Sequence, residues 1–375
     1  MAGVAVTADP LRIALIASSR YPIRQPFPGG LESHVWYLAR TLSGDGHHVT
    51  LFAGPGSDRT LGCAHLQVQT LDVSHAARQD VSMPSMWFMQ EHHAYLQLML
   101  DLSGPLAESF DVVHNHSLHY LPVAMASAVP APVLSTLHTP PTPWLESALA
   151  VRSGAGAHFA AVSRHTAAAW QHAVDDIEVV PNGVDLDSWP EGRGGQHLIW
   201  FGRLVPEKGA HVAVDAARRA GFPIVLAGPI SDAEYFDRMI RPRLGSEVTY
   251  LGHLAQPELA AAIGGAAATL VAPLWDEPYG LVVAESLACG TPVAAFARGG
   301  IPEVLTPDCG SLVAAGDVPA LARAIPDVVG RSRAAARAHA RECCSERRMV
   351  DTYVGLYRRL ARGHTPPRAQ GKAAP

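Results

Sequence analysis

The stretch Pro273–Val304, PLWDEPYGLVVAESLACGTPVAAFARGGIPEV, carries two carboxylates eight residues apart, Glu277 and Glu285. Pro278 suits the first position of a helix, which places Glu277 in a loop and Glu285 inside the helix that follows. The amides of Gly280, Leu281 and Val282 would then lie at a helix N-terminus, where backbone N–H groups and the helix dipole attract an anion. One segment thus offers a loop acid, an anion cradle and a helix acid. That combination suits a phosphorylated sugar donor.

A second segment extends this reading. FGRLVPEKG, Phe201–Gly209, follows an apolar run and precedes an alanine-rich helical stretch. Lys208 and Lys372 are the only two lysines in the chain. Lys208 therefore falls, with Arg203, in a glycine-punctuated strand-to-helix loop. Arginine binds phosphate through a fork of hydrogen bonds and lysine as a point charge, so the pair could neutralise a diphosphate. Taken alone, the loop could equally be a solvated one with two surface cations.

A chain of 375 residues, 48% hydrophobic and 17% charged, fits two globular domains. No apolar run approaches the length of a membrane span. No basic segment precedes the first apolar run, as a signal peptide would require. The five cysteines, 63, 289, 309, 343 and 344, lack metal-type spacing and fit reduced thiols in a cytoplasmic protein. Residues 1–190 hold 8 basic residues against 16 acidic ones, and residues 191–375 hold 21 against 18. The acidic first half argues against a nucleic-acid or anionic-lipid partner on that face.

Apolar runs at Leu11–Ala17, His48–Ala53, Asp111–His114, Val133–Leu137, Phe159–Val162 and Ile177–Val180 read as strands. Helical stretches separate them, the first following PFPGG and stopping at Gly44. After Pro190–Gly195 the pattern restarts with strands at His197–Phe201, Ile224–Ala227, Val248–Leu251, Ala268–Ala272, Pro292–Ala295 and Ser311–Val313. Strands alternating with helices give an α/β fold: two Rossmann-like, doubly wound parallel-sheet domains facing across a cleft. The expected units are 1–190 on the acceptor side and 196–345 on the nucleotide-sugar side. A helix over 346–361 would return toward the first domain, and 362–375 would form a disordered tail. Helices are expected at Pro319–Val329 and Arg331–Leu360, the arginine-rich part presenting a solvated face.

With these residues in view, the chain resembles retaining glycosyltransferases of the two-Rossmann-domain (GT-B) type, glycosyltransferase family 4, or glycosyl transferases group 1. The pieces that carry the resemblance are PGGLE (28–32), DVVHNH (111–116), STLHTP (135–140), AVS (161–163), VPNGVD (180–185), FGRLVPEKG (201–209) and the segment from Glu277 to Glu285. Each is weak alone, but their order and spacing are specific. The resemblance implies that Gly202, Arg203 and Lys208 hold the donor diphosphate and that Glu285 accepts the ribose hydroxyls. It implies that Glu277 contacts the transferred sugar, with Tyr279, Gly280, Leu281 and Val282 also on the donor. Gly29 and Gly30 would let the first loop approach the diphosphate, and His138 would face the sugar. His138, Glu277, Arg203 and Lys208 form the implied catalytic set. The chemistry implied is transfer on one face of the sugar, the departing phosphate helping to deprotonate the acceptor, with no protein nucleophile. No metal and no cofactor are expected.

The donor base is not written in a motif; UDP is preferred to GDP. The acceptor expected is a soluble small molecule, such as an aminocyclitol natural product or a simple sugar, with a lipid or cell-envelope acceptor as the alternative. Glu32, His34 and Trp87 are candidate acceptor contacts, although Glu32 suits a helix N-terminus for dipole reasons alone. Trp87, Phe88 and Met89, in a less regular stretch, could also be local core. Asp185-Leu186-Asp187 reads as a turn rather than a metal motif. His114 and His116 read as a chance pair directed to opposite faces of a strand end. Gly154-Ala155-Gly156 reads as a turn. Rival classes are a nucleotide-sugar epimerase, a pyridoxal-phosphate phosphorylase and a non-catalytic nucleotide-sugar binder. An NAD enzyme is disfavoured because PFPGG lacks the G-x-G-x-x-G spacing.

Overall fold

The computed structural model describes residues 9–66, 73–82, 85–151 and 156–363. The reading of Gly154 and Ala155 as a turn, and of the tail beyond Gly363, falls outside these residues.

The first half holds strands β1 (Arg12–Ile16), β2 (His48–Ala53), β3 (Cys63–His65), β4 (Val112–Asn115), β5 (Val133–Leu137), β6 (Ala157–Ala161) and β7 (Ile177–Val179). They form one parallel sheet in the order β3-β2-β1-β4-β5-β6-β7. The second half holds β8 (Leu198–Phe201), β9 (Ile224–Ala227), β10 (Val248–Tyr250), β11 (Ala268–Val271), β12 (Val293–Phe296) and β13 (Gly310–Val313). Its sheet, also parallel, runs β10-β9-β8-β11-β12-β13. The central strands are fully buried, as a sheet covered on both faces requires. Chain direction across the sheet reverses between β1 and β4, and again between β8 and β11. Ligands of open α/β sheets bind at such switch points, beyond the C-terminal strand ends.

Each sheet is sandwiched. On the first, Val35, Leu38 and Leu42 of the Gly30–Gly44 helix cover one face together with Met349, Val350, Tyr353 and Tyr357. These last four belong to the terminal helix Glu346–Gly363, so the end of the chain completes the core of its beginning. The other face is covered by Tyr95, Leu98, Met99 and Leu102. They belong to an 18-residue helix, Met86–Ser103, where an irregular stretch was expected. Ser85 caps it by accepting from the Phe88 amide, and its buried positions fall at helical spacing.

Two other expectations are corrected. Arg331–Leu360 is not one helix but two, Arg333–Cys343 and Glu346–Gly363, broken at Cys344 and Ser345. At that break, Ser345 bridges to Val184, and a Cβ on Gly183 would lie 2.4 Å from the Glu346 Cα. Nor is the arginine-rich stretch merely a solvated face. The Arg333 guanidinium donates to the carbonyls of Gly264, Ala266, Cys289 and Gly192, and Arg337 donates to those of Leu186, Trp189 and Ala288. These carbonyls end helices or belong to the linker between the sheets, and five fixed donors per guanidinium satisfy them. Asp185 behaves as a turn residue, accepting from the Asp187 amide at 3.0 Å and the Ser188 hydroxyl at 2.6 Å. All five cysteines are free thiols.

Candidate active site

A cleft of about 380 Å³ separates the C-terminal edges of the two sheets. It is lined by Gly29, Gly30 and Glu32 after β1, His138 after β5, Gly202, Arg203 and Lys208 after β8, and the Glu277–Glu285 segment after β11. Both switch points therefore open into one space.

The loops after β8 and β11 are fastened to each other. The Leu274 amide donates to the Glu207 carbonyl at 2.8 Å, while the Trp200 indole of β8 steadies its own following loop by donating to the Lys208 carbonyl at 3.3 Å. Gly209 has φ +67°, and a Cβ there would lie 1.9 Å from the Ala272 carbonyl oxygen. Only glycine can turn the chain at this point, and that turn delivers Lys208 into the cleft. Lys208 Nζ donates to Glu277 Oε1 at 2.6 Å and lies 4.8 Å from the centre of the Trp275 ring. The Trp275 indole N–H also donates to Glu277 Oε1, at 3.0 Å. Glu277 is thus held from two sides, with only 8% of its surface exposed.

The helix after Glu277 begins at Leu281, not beside Pro278, with Gly280 as its left-handed N-cap at φ +101°. Glu277 is nevertheless in the loop and Glu285 in the helix. No side chain caps this terminus, and Gly280, Leu281 and Val282 line the cleft. The arrangement leaves first-turn amides for an anion. Tyr279 lines the cleft too, but its ring also belongs to the buried core of the second half, where it faces Cys344. Glu285 lies on the cleft floor, where desolvation pushes its carboxyl up to about 8.

On the opposite wall, a Cβ on Gly30 would lie 2.8 Å from the Leu281 side chain, so the bare glycine permits the two halves to approach. Burial raises the Glu32 carboxyl, while the charges of Arg203 and Arg20 oppose that rise. Arg203, from the second half, thus acts electrostatically on an acid of the first. His138 borders the cleft, and its Nε2 lies 2.9 Å from His116 Nδ1. His116 Nε2 is in turn 3.1 Å from His114 Nδ1, and the two rings lie 3.8 Å apart. This corrects the expectation of opposite faces, because residues two apart on a strand share a face. His114 continues the chain to Tyr357 Oη at 2.6 Å and Thr136 Oγ1 at 2.7 Å. Burial keeps the His114, His116 and His138 rings neutral. His34 is not in the cleft wall but behind it, 3% exposed, with neither ring nitrogen bonded. Ligand atoms of His34, His116 and His138 lie within 4.8 Å of one another. Trp87 does not line the cleft; it borders a neighbouring recess.

Sequence reasoning missed the residues that join the halves beside Glu277. The Pro278 carbonyl accepts from Ser163 Oγ at 2.5 Å and from Thr166 Oγ1 at 3.1 Å. The Glu303 carboxylate accepts from the amides of Arg164 and His165, at 2.9 and 2.7 Å, capping a helix of the other half. Only the AVS piece hinted at this. Trp275, two residues from Glu277, was legible in position but not in role.

Two parallel sheets whose switch points share one cleft define the fold class, two Rossmann-like halves facing each other. The family models agree: Glycosyltransferase Family 4 matches residues 28–188 and Glycosyl transferases group 1 matches residues 195–330. The chain belongs to this family of retaining glycosyltransferases, which transfer a sugar from a nucleotide-sugar donor. It is 28% identical to a glycogen synthase of Mycobacterium tuberculosis, over 82% of this chain and 84% of that one. It is 36% identical to a D-inositol 3-phosphate glycosyltransferase of Mycolicibacterium paratuberculosis, over 51% of this chain and 49% of the other. Among solved structures it is similar to AviGT4, a glycosyltransferase involved in avilamycin A biosynthesis. The TM-score there is 0.69 and the identity 25%, covering 96% of this chain and all of that one. Among the described residues no helix is long and apolar enough to cross a membrane.

Proposed function

We propose that this protein moves a hexosyl or N-acetylhexosaminyl unit from a UDP-sugar to a hydroxyl of a soluble small-molecule acceptor, without a metal ion. The observation that carries the reading is the Lys208–Glu277 ion pair of 2.6 Å, in the cleft that Arg203 and the uncapped helix at Leu281 also line. Arg203, Lys208 and the amides of Gly280, Leu281 and Val282 neutralise the diphosphate as the anomeric C–O bond breaks, the role a divalent ion serves elsewhere. Gly29, Gly30 and Gly202 give the phosphates room. Glu285 accepts the ribose hydroxyls. Glu277, released by Lys208 and held by Trp275, accepts hydroxyls of the transferred sugar. Neutral His138 hydrogen-bonds the sugar from the opposite half. No residue is assigned as a nucleophile; the sugar departs and is attacked on one face, and the leaving phosphate takes the acceptor proton.

The residue ranges 1–190 and 196–345 act as the acceptor-side and donor-side units, closing on each other about the linker and the break at Cys344–Ser345. The similarity to an inositol-phosphate glycosyltransferase and to AviGT4 supports a small-molecule acceptor. The test is turnover: purified protein with UDP-glucose or UDP-N-acetylglucosamine and a pool of small polyols, in EDTA, with the product followed by proton NMR. A product of retained anomeric configuration is expected. Turnover that requires added Mg²⁺ or Mn²⁺, or an inverted product, would overturn the reading.

A further inference from the structure

Beside the donor cleft lies a smaller recess of about 90 Å³, which shares Ser18, Arg20 and Leu118 with it. Its wall is a column of rings. Tyr95 is buried and anchored, its hydroxyl donating to the Ala17 carbonyl and accepting from the Ser19 amide, each at 2.9 Å. His119 stacks on Tyr95 with ring centres 4.5 Å apart, Tyr120 on His119 at 4.8 Å, and Trp144 on Tyr120 at 5.3 Å. All three contacts are close to parallel, with interplanar angles of 21°, 22° and 16°. Phe88 braces Trp144 from the side, with centres 5.6 Å apart. The column therefore begins in the core and ends at the surface.

At its outer end, Trp144 and Trp87 are each 55% exposed. Single exposed aromatics are ordinary, but two tryptophans lining one concavity, Trp144 on the stacked column and Trp87 beside Arg20, point to a ligand site. Two charged groups complete the recess. Glu91 accepts from Ser19 Oγ at 2.9 Å, and the Arg20 guanidinium lies 5.8 Å from the centre of the Trp87 ring. One carboxylate and one guanidinium balance in charge, while offering both hydrogen-bond acceptors and donors.

We infer that this recess is the acceptor subsite and that it holds an uncharged polyol ring, a pyranose or cyclitol. Such a ring has apolar C–H faces to lie on Trp144 and Trp87, and a rim of hydroxyls to donate to Glu91 and accept from Arg20. A phosphate would meet Glu91 with only one cation in attendance, and a flat apolar aromatic would make no use of either charged group. The shared residues Ser18, Arg20 and Leu118 bring a hydroxyl of the seated ring to the edge of the donor cleft. The inference rests on the proposed transferase function and supplies its acceptor class.

The test is saturation-transfer difference NMR on the full chain, with and without saturating UDP. The probes are methyl α-D-glucopyranoside, myo-inositol, myo-inositol 1-phosphate and 4-nitrophenol. Saturable transfer to the ring protons of a neutral polyol is expected, weakened at least tenfold in Trp144→Ala and in Glu91→Gln. UDP affinity in those variants reports that they are folded. Selective binding of 4-nitrophenol or of the phosphate, or polyol binding untouched by both substitutions, would overturn the assignment. Polyol binding lost in Trp144→Ala, in a protein that binds no UDP, would uphold the recess and sink the donor reading instead.

Discussion

Glu285 turns the donor reading into a pH measurement. Its carboxyl is raised to about 8 in the empty cleft by desolvation, so at pH 7 about nine-tenths of the molecules carry it protonated. Two ribose hydroxyls that donate to this group favour its ionised form. If binding returns the pKa toward the ordinary 4.5, each UDP expels about 0.9 proton at pH 7. Affinity then rises about tenfold from pH 7 to pH 9, or about 1.4 kcal/mol, because the empty site has already lost its proton at the higher pH. In Glu285→Gln this dependence disappears, and any slope that remains belongs to UDP itself. The assay is calorimetric titration at pH 7 in two buffers of different ionisation enthalpy, repeated at pH 9. Equal proton release by wild type and Glu285→Gln, or an affinity that falls with pH only in wild type, would refute the reasoning.

Lys208→Ala should lower kcat by 10²- to 10³-fold, about 2.7–4 kcal/mol of barrier, since it removes one of the two cations assigned to the departing phosphate and leaves Glu277 without its ion-pair partner; steady-state kinetics check this. Trp275→Phe keeps the ring beneath Lys208 but removes the indole N–H to Glu277. It should cost about 1.5–3 kcal/mol in kcat/KM while UDP affinity stays unchanged. Glu303→Ala removes the carboxylate that caps the Arg164–Trp170 helix from the other half; thermal unfolding should show a loss of about 0.5–2 kcal/mol, with a larger radius of gyration in solution scattering. Burial raises the Glu346 carboxyl to about 7 from an ordinary 4.5. Its contribution to stability is therefore complete below pH 4.5 and is lost as pH rises through 7, by up to about 3 kcal/mol. Glu346→Gln should flatten that part of the Tm-against-pH curve.

Most strands could be read directly from the sequence, because a parallel sheet buried on both faces demands short apolar runs, and those runs stand out between polar helices. β3 escaped notice: Cys63–His65 is a three-residue edge strand with no apolar run to announce it. The Met86–Ser103 helix was missed because its N-terminal half, Met86–His93, presents tryptophan, phenylalanine and two histidines outward, masking the buried spacing from Ala94 to Leu102. The loop acid and the helix acid were legible from spacing. Their partners were not, since Ser163, Glu303 and the His114–His116–His138 chain meet through tertiary packing across more than a hundred residues or between strands. Arg333 and Arg337 show the same limit. A guanidinium that staples carbonyls has the same local sequence as one that faces water.

The central claim is a diphosphate site built from Lys208, Arg203 and an uncapped helix, selective for a uridine nucleotide. The most direct measurement is calorimetric titration of the purified protein with UDP and with GDP in EDTA, beside Lys208→Ala. One-to-one binding of UDP, weaker for GDP and largely lost in the variant, is the predicted result. Binding of neither nucleotide without a divalent ion, or binding of UDP unaltered by Lys208→Ala, would contradict it.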